Sequence, residues 1–366
     1  MNILWMTWKD PSHPDAGGAE VVQEQLVNRL IADGHAVTIL TGAYLGSTPD
    51  ETRGNLRIIR GGSRYTVHIR SMLYYLRHLR KWADIVIDEV NTAPFFAKFY
   101  ARDTRRVMLI HQLAREIWHY ELPKPLSYIG YVAEPLYIRA LAGQKAITVS
   151  DSTRDDLVRY GHKSSDVSII SEGLTITPLA SLDDIKKFDS PTVLILGSMR
   201  AMKRTLASIE AFEIARDTLP DLQLKLAGGS GGKYGAKVMD YIKHSRHAKA
   251  IEYCGRVSDE QKIELMQRSH AILVASVREG WGLIVTEANS QGTPAVVYDV
   301  PGLRDSVRDG ETGIVTPPTP EAMATGIIEL LDNSDHYEQL RRAGYEWSKT
   351  ITFDQSYADF KKAVRI

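Results

Sequence analysis

Two acids eight positions apart, Glu279 and Glu287, flank a Gly-Trp-Gly turn in the stretch "SVREGWGLIVTEANSQGTP", residues 276–294. Ionised carboxylates only accept hydrogen bonds, so their partners are hydroxyls and cations. Gly280 and Gly282 carry no Cβ, which lets backbone approach a ligand closely. If the apolar segment that follows is a helix, the N–H groups of Trp281, Gly282, Leu283 and Ile284 open it and offer an anion site. The same helix would set the two acids near one face. Spacing alone serves equally for a helix-start acid favoured by the dipole and a solvated acid further along.

Further loops carry complementary groups. "GSMRAMKRT" (197–205) supplies Arg200 and Lys203, cations suited to a diphosphate. "DPSHPDAGGAE" (10–20) brings Gly17 and Gly18 to the start of an amphipathic segment, either a second phosphate-compatible loop or a plain tight turn. His111 ends the run "VMLIH", where a lone histidine is usually structural, and Asn91 and Arg115 stand at neighbouring element ends. A ligand with a hydroxyl-rich ring at Glu279, a diphosphate at the helix start and a second ring near Glu287 fits this layout, which is that of a nucleotide-sugar. "AGGSGGKYG" (227–235) is a decoy: three residues separate Gly228 from Gly232 where a Walker A loop needs four, and Tyr234 follows Lys233. A flexible loop is expected there. With neither a D-x-D triplet nor HExxH, a divalent metal lacks its usual ligands, so no metal or cofactor is expected.

These loops must be held by strands and helices, and the chain alternates short β-branched runs with helical-period segments in the manner of βαβ units. Strands are expected at 2–8, 36–41, 56–60, 84–88, 107–111, 146–150 and 167–170. The polar stretch 177–191 reads as a linker, and strands resume at 192–197, 222–228, 251–255, 271–276, 294–299 and 313–315, with helices after Pro320. The expected division is a domain over 1–178, a second over 190–350 and a closing helix over 351–366 crossing back to the first. Open α/β sheets bind ligands beyond the carboxyl ends of their strands, so two such domains facing each other wall a cleft with those loops.

At 366 residues, 43% apolar and 25% charged, the chain has the composition of an ordinary globular protein. Basic and acidic side chains number 45 each, so no net field favours nucleic acid. The single cysteine, Cys254, excludes an internal disulfide, fits a reducing cytoplasm and reads as a small buried hydrophobe. "MNILWMTWKD" reads as a strand, not a signal peptide, and no apolar run is long enough to span a bilayer. No acid occurs between Arg53 and Ala83, where eight basic residues do, several on "VHIRSMLYYLRHLRKW". Such a segment (53–81) serves as a solvated helix face or as a peripheral contact with the inner membrane face.

The turn "EGWGLIVTEANSQGTPAVV" resembles the signature of the family 4 retaining glycosyltransferases, which have the GT-B fold: a glutamate in an E-G-[FW]-G turn, seven residues, a second glutamate, then Gly-x-Pro. The resemblance implies two Rossmann-like doubly wound domains with C-terminal helices. It implies donor-sugar binding by Glu279 and ribose binding by Glu287. Lys203 falls where the family has its phosphate-binding lysine; Ser198 stands in place of the family's arginine, leaving Arg200 as the second cation. Gly17, Gly18, Gly229, Gly280, Trp281, Gly282 and Leu283 would border the donor, and Arg256 and Val257, in "EYCGRVSDEQ", its base. His111 matches a family histidine that touches the donor sugar, while Asn91 and Arg115 would orient sugar or acceptor. Glu172, in "SIISEGL", departs from the family's asparagine, and its role stays open. The implied activity is transfer of a hexosyl group from a nucleotide-diphosphate sugar, UDP-glucose by preference from the likeness to bacterial envelope-polysaccharide enzymes, to a saccharide or lipid-linked acceptor. An epimerase, a phosphorylase or a non-catalytic nucleotide-sugar-binding module would share the sheets.

Overall fold

The computed structural model describes residues 1–183 and 185–366, which form two compact units. The first comprises Met1–Arg115, Tyr128–Gly173 and Thr352–Ile366; the second, Glu116–Ser127 and Leu174–Ile351. In chain order the strands are β1 (Asn2–Met6), β2 (Ala36–Thr41), β3 (Asp50–Arg53), β4 (Leu56–Arg60), β5 (Ile85–Glu89), β6 (Arg105–Leu109), β7 (Lys145–Thr148), β8 (Val167–Ile169), β9 (Thr192–Leu196), β10 (Gln223–Ala227), β11 (Ile251–Gly255), β12 (Ala271–Val274), β13 (Ala295–Tyr298) and β14 (Gly313–Thr316). The helices are α1 (Gly18–Ala32), α2 (Val67–Tyr74), α3 (Ala97–Tyr100), α4 (Ile117–Glu121), α5 (Leu126–Leu141), α6 (Asp151–Arg159), α7 (Thr205–Thr218), α8 (Gly232–His244), α9 (Asp259–Arg268), α10 (Leu283–Ser290), α11 (Pro320–Asp332), α12 (Ser334–Ser348) and α13 (Phe353–Val364).

In the first unit the sheet order is β3-β4-β2-β1-β5-β6-β7-β8, parallel except for β3 against β4. The central strands are continuously buried, as helices on both faces require. One face packs Leu4, Met6 and Val86 against Tyr75 of the one-turn extension of α2 and, further along the same face, Val90 and Met108 against Ile138 and Leu157. The edge strand β3, "DETR", is absent from the sequence-based expectation because it has no apolar residue to mark it; Asp50 is held by Arg57, 2.6 Å away, on β4. The last helix, α13, lies in this unit. Phe360 stacks on Trp5 with ring centroids 5.9 Å apart, Tyr357 donates to Asp33 at 2.8 Å, and Arg29 pairs with Asp354.

The second unit has a wholly parallel sheet, β11-β10-β9-β12-β13-β14. Its core joins Val193, Leu194, Leu224 and Ile272 to Phe212 of α7 and Leu330 of α11. The 177–191 stretch is not a loose tether. Lys187 is half-buried, and its ammonium donates to the carbonyls of Ser269 and Gly292, both at 2.7 Å, which replaces the water it gives up. Arg341 reaches the Leu182 carbonyl at 2.9 Å. Residues 116–127 are held here by Arg200, 2.9 Å from Glu121, and by Arg278, 3.5 Å from Glu116. Two expectations need correction. Cys254 is half-exposed on edge strand β11. The glycine run 227–235 is not all loop, because α8 begins at Gly232; a Cβ at Gly235 would lie 2.0 Å from the Ser230 carbonyl oxygen, so only glycine fits that turn.

Candidate active site

Strand order decides where a parallel sheet opens. In the second unit β10 and β12 lie on opposite sides of β9, so the connections after β9 and β12 diverge and leave a crevice at the carboxyl ends of these two strands. Both loops bring a charged group to it. Lys203, in the turn after β9, places its Nζ 2.5 Å from Oε1 of Glu279, in the loop after β12. Ser276 Oγ donates to the same oxygen at 2.6 Å. Lys203 remains about one-third exposed and Glu279 is mostly covered, so the ammonium keeps N–H groups free for an incoming anion.

Glycine makes these loops fit. Gly197 and Gly228 sit at φ 137° and 143°, and a Cβ on Gly228 would lie 1.9 Å from the Gly197 carbonyl oxygen. The close approach lets Met199 N–H donate to the Gly229 carbonyl at 2.9 Å and leaves Ser198 exposed at the tip. The Arg256 guanidinium lies over Gly229, about 3.1 Å from where a Cβ would stand, with Val257 beside it half-buried. Lys203, Ser198, Gly229 and Arg256 thus belong to one run of adjoining loops after β9, β10 and β11. Arg200 does not join them: it is half-exposed and paired with Glu121.

Helix α10 starts at Leu283, after Gly282 in the left-handed region at φ 102°. Glu279 therefore lies outside the helix, and its N–H donates to the Pro301 carbonyl at 3.0 Å, so the expectation that it shares a helical face with Glu287 does not hold. Trp281 turns toward Trp347, ring centroids 6.1 Å apart, and its indole N–H donates to Thr286 at 2.9 Å. Gly280 stays half-buried beside it. Glu287, nearly buried, accepts from Thr175 Oγ1 at 2.9 Å on one oxygen and pairs with Lys262 Nζ at 2.6 Å on the other. Each oxygen retains a lone-pair direction for a hydroxyl. Sequence reasoning missed Lys262 and Thr175 because each reaches Glu287 from a distant stretch without a motif.

The first unit has its own switch point, between β1 and β5. Gly18 opens α1, but the N–H of Gly17 is occupied, donating at 2.7 Å to the carboxylate of Glu20, which is buried. Asn91 donates to the other oxygen of Glu20 at 3.1 Å. A phosphate at this helix start would meet that carboxylate, so the loop is no ready anion site as it stands. The Gly17-x-x-Glu20 spacing, a glycine version of a capping box, carried the signal. Arg115 is also committed elsewhere. Held at φ 40°, it is buried, donates to the Tyr131 carbonyl at 2.9 Å and lies 3.7 Å from Glu134, so it points into α5 and orients no acceptor in this arrangement.

His111 lies between two buried carboxylates, Nε2 3.5 Å from Glu89 and Nδ1 3.8 Å from Glu172. Glu89 is fixed in turn by the Trp5 indole N–H at 2.5 Å and by Gln23 at 3.0 Å. Burial alone would push the imidazole down, but Glu172 and Glu89 outweigh it and raise it to about 10. Stability from this pairing is therefore fully present below the ordinary histidine value and is lost as pH rises through about 10. Histidine titration by NMR will find His111 protonated at neutral pH in the wild type and titrating lower in Glu172→Gln. The stability gap between wild type and His111→Gln will narrow as alkaline pH is approached; a gap independent of pH would mean the ring is uncharged. Among the described residues no group of three His, Cys, Asp or Glu side chains could hold a metal ion.

Two family models match successive stretches of the chain, Glycosyltransferase Family 4 over residues 16–177 and Glycosyl transferases group 1 over residues 183–347. Glycogen synthase of Mycobacterium tuberculosis (strain ATCC 25618 / H37Rv) is 23% identical, aligned over 96% of this chain and 93% of that protein. Among solved structures, sucrose-phosphate synthase from Thermosynechococcus elongatus superposes with a TM-score of 0.78 at 19% identity, covering 100% of this chain and 98% of that one. Anabaena Alr3699/HepE in complex with UDP-glucose gives 0.71 at 14% identity, covering 100% and 99%. At these identities the structural likeness establishes the fold. With one model covering the loops built around Lys203 and Glu279 and the other the sheet that carries His111, the chain belongs to the family 4, group 1 glycosyltransferases, enzymes of the GT-B fold.

Proposed function

We infer that this enzyme moves a hexosyl group from a UDP-sugar, UDP-glucose by preference, to a saccharide or lipid-linked saccharide, with retention of anomeric configuration and without a divalent metal. The observation that carries the reading is the meeting of Lys203 and Glu279 at the switch point of the second sheet, a cation for the diphosphate beside an acceptor for sugar hydroxyls. Glu287, its oxygens fixed by Thr175 and Lys262, is preorganised to take the ribose hydroxyls. Arg256 over Gly229 adds a second cation. UDP-glucose in the Anabaena structure of the same fold supports the choice of donor.

In this reading the bond between the anomeric carbon and the β-phosphate oxygen breaks and UDP leaves with the electron pair. Lys203, Arg256 and the first N–H groups of α10 take up the charge as it develops, which is where fixed dipoles and cations lower a barrier most. The acceptor hydroxyl adds to the same face of the sugar, and its proton passes to the departing phosphate oxygen. Incubating the enzyme with UDP-glucose and screening saccharide and lipid-linked acceptors will show acceptor-dependent UDP release in the presence of EDTA, and NMR of the product will show the donor's anomeric configuration. An inverted product, or release only with a metal ion, would overturn those parts of the reading.

A further inference from the structure

We propose that the first unit docks on an anionic bilayer surface through one face built from α2, the segment 92–99 and α5. On α5, Ile129, Val132 and Leu136 follow one another at three- and four-residue spacing and are each 60% exposed or more. The core is served by a different stripe of the same helix, Ile138 and Leu141 with Glu134, which is buried. A surface helix ordinarily has one apolar stripe, turned inward. This one has a second, turned to water. The pattern repeats on α2, where Val67 and Ser71 are buried and Ile69 and Leu73 are exposed.

The segment between the two helices joins these stripes. His68 of α2 lies 4.5 Å, ring to ring, from Phe95 and 3.2 Å from the Ala93 carbonyl. Phe96 meets Tyr137 of α5 edge-on at 6.5 Å, and Lys98 donates to the Ala140 carbonyl at 2.8 Å. Phe96 itself sits at φ 58°, a region bulky residues seldom adopt, and its ring is 38% exposed. Contiguous apolar surface of this kind marks an interaction site.

Charge identifies the occupant. Of the eight cations between residues 53 and 83, Arg53, Arg57 and Arg60 are drawn off to Glu51, Asp50 and Asp10; Arg70 of α2, its guanidinium lying along Gly61, and Arg77 of the one-turn extension are both exposed and face no paired acid among the described residues. Asp103, an exposed acid beside this face, is paired with Arg80. The only acid of α5, Glu134, is turned inward, accepting the N–H groups of Ala114 and Arg115 at 2.6 Å each. Apolar side chains projecting among unopposed cations match acyl chains beneath phosphate headgroups. A second copy of the same face would set like charges against each other. The inference rests on the surface of the first unit alone and stands apart from the reading of the donor site.

Co-sedimentation with vesicles tests it, using phosphatidylcholine alone and an equimolar mixture with phosphatidylglycerol. Wild type is expected to pellet with the mixed vesicles, to stay in solution with phosphatidylcholine, and to be released progressively by salt. Arg70→Gln and Arg77→Gln are each expected to weaken binding about fivefold. The triple variant Ile129→Ser, Val132→Ser, Leu136→Ser is expected to lose it while melting like wild type. Hydrogen exchange on the unaltered protein gives an independent readout, because α2 and α5 should gain protection from the mixed vesicles only. Wild type that ignores the mixed vesicles, a folded triple variant that still pellets, or a wild-type dimer dispersed by the triple substitution would each overturn the proposal.

Discussion

Lys203→Ala is expected to lower kcat/KM for sugar transfer by about 10²–10³-fold, the usual cost of removing one preorganised group aimed at developing charge. The loss should fall mainly on kcat, because the ammonium matters most once the diphosphate carries the full leaving-group charge. Stability should change by about 1 kcal/mol or less, since the ammonium is about one-third exposed and Ser276 still donates to Glu279 after the substitution. Steady-state kinetics beside thermal melting separates the two effects. Wild-type kcat/KM in the variant would show that this pair does not hold the donor.

Gly228→Ala should be the most damaging single-methyl change in the second unit. Its Cβ would sit 1.9 Å from the Gly197 carbonyl oxygen, and the backbone at φ 143° is one that L side chains rarely adopt. Both strands end here, so neither loop can retreat without disturbing the β9–β10 pairing. The expected cost is about 2–4 kcal/mol, from strain and steric overlap together, with weakened donor binding as the loop carrying Ser198 shifts. Gly231→Ala is the control: its φ is −66° and nothing stands within 4 Å of the added methyl, so it should stay within about 0.5 kcal/mol of wild type. Chemical denaturation of the three proteins decides the matter. Equal losses in both variants would refute the packing argument.

What could be read from the sequence follows from which physical signals are local. Buried parallel strands announce themselves as β-branched runs, and thirteen of the fourteen strands among the described residues, such as β2 and β4, have expected bounds within two residues of those found. β3 escaped because a strand paired by charge at a sheet edge has no apolar period to detect. The short strand β14 was seen but placed one residue early at its end. In the site, Lys203 and Glu279 could be expected near one another because both follow strands in a parallel sheet, even though 76 residues separate them. The local bond of Gly17 to Glu20 had a signal in its capping-box spacing, whereas the commitment of Arg115 to Glu134 was not legible, since that partner depends on tertiary placement. Glu172 is the clearest instance: its departure from the family pattern was visible, but its place beside His111 required the fold.

The central claim is that protein cations at the switch point of the second sheet hold the donor diphosphate in place of a metal ion. Calorimetric titration of UDP-glucose into EDTA-treated protein, wild type beside Lys203→Ala, tests it most directly. Saturable binding by the wild type, unchanged when magnesium is restored and weakened about tenfold or more in the variant, is the result the account predicts. Binding that appears only with magnesium, or equal affinity in the two proteins, would contradict it.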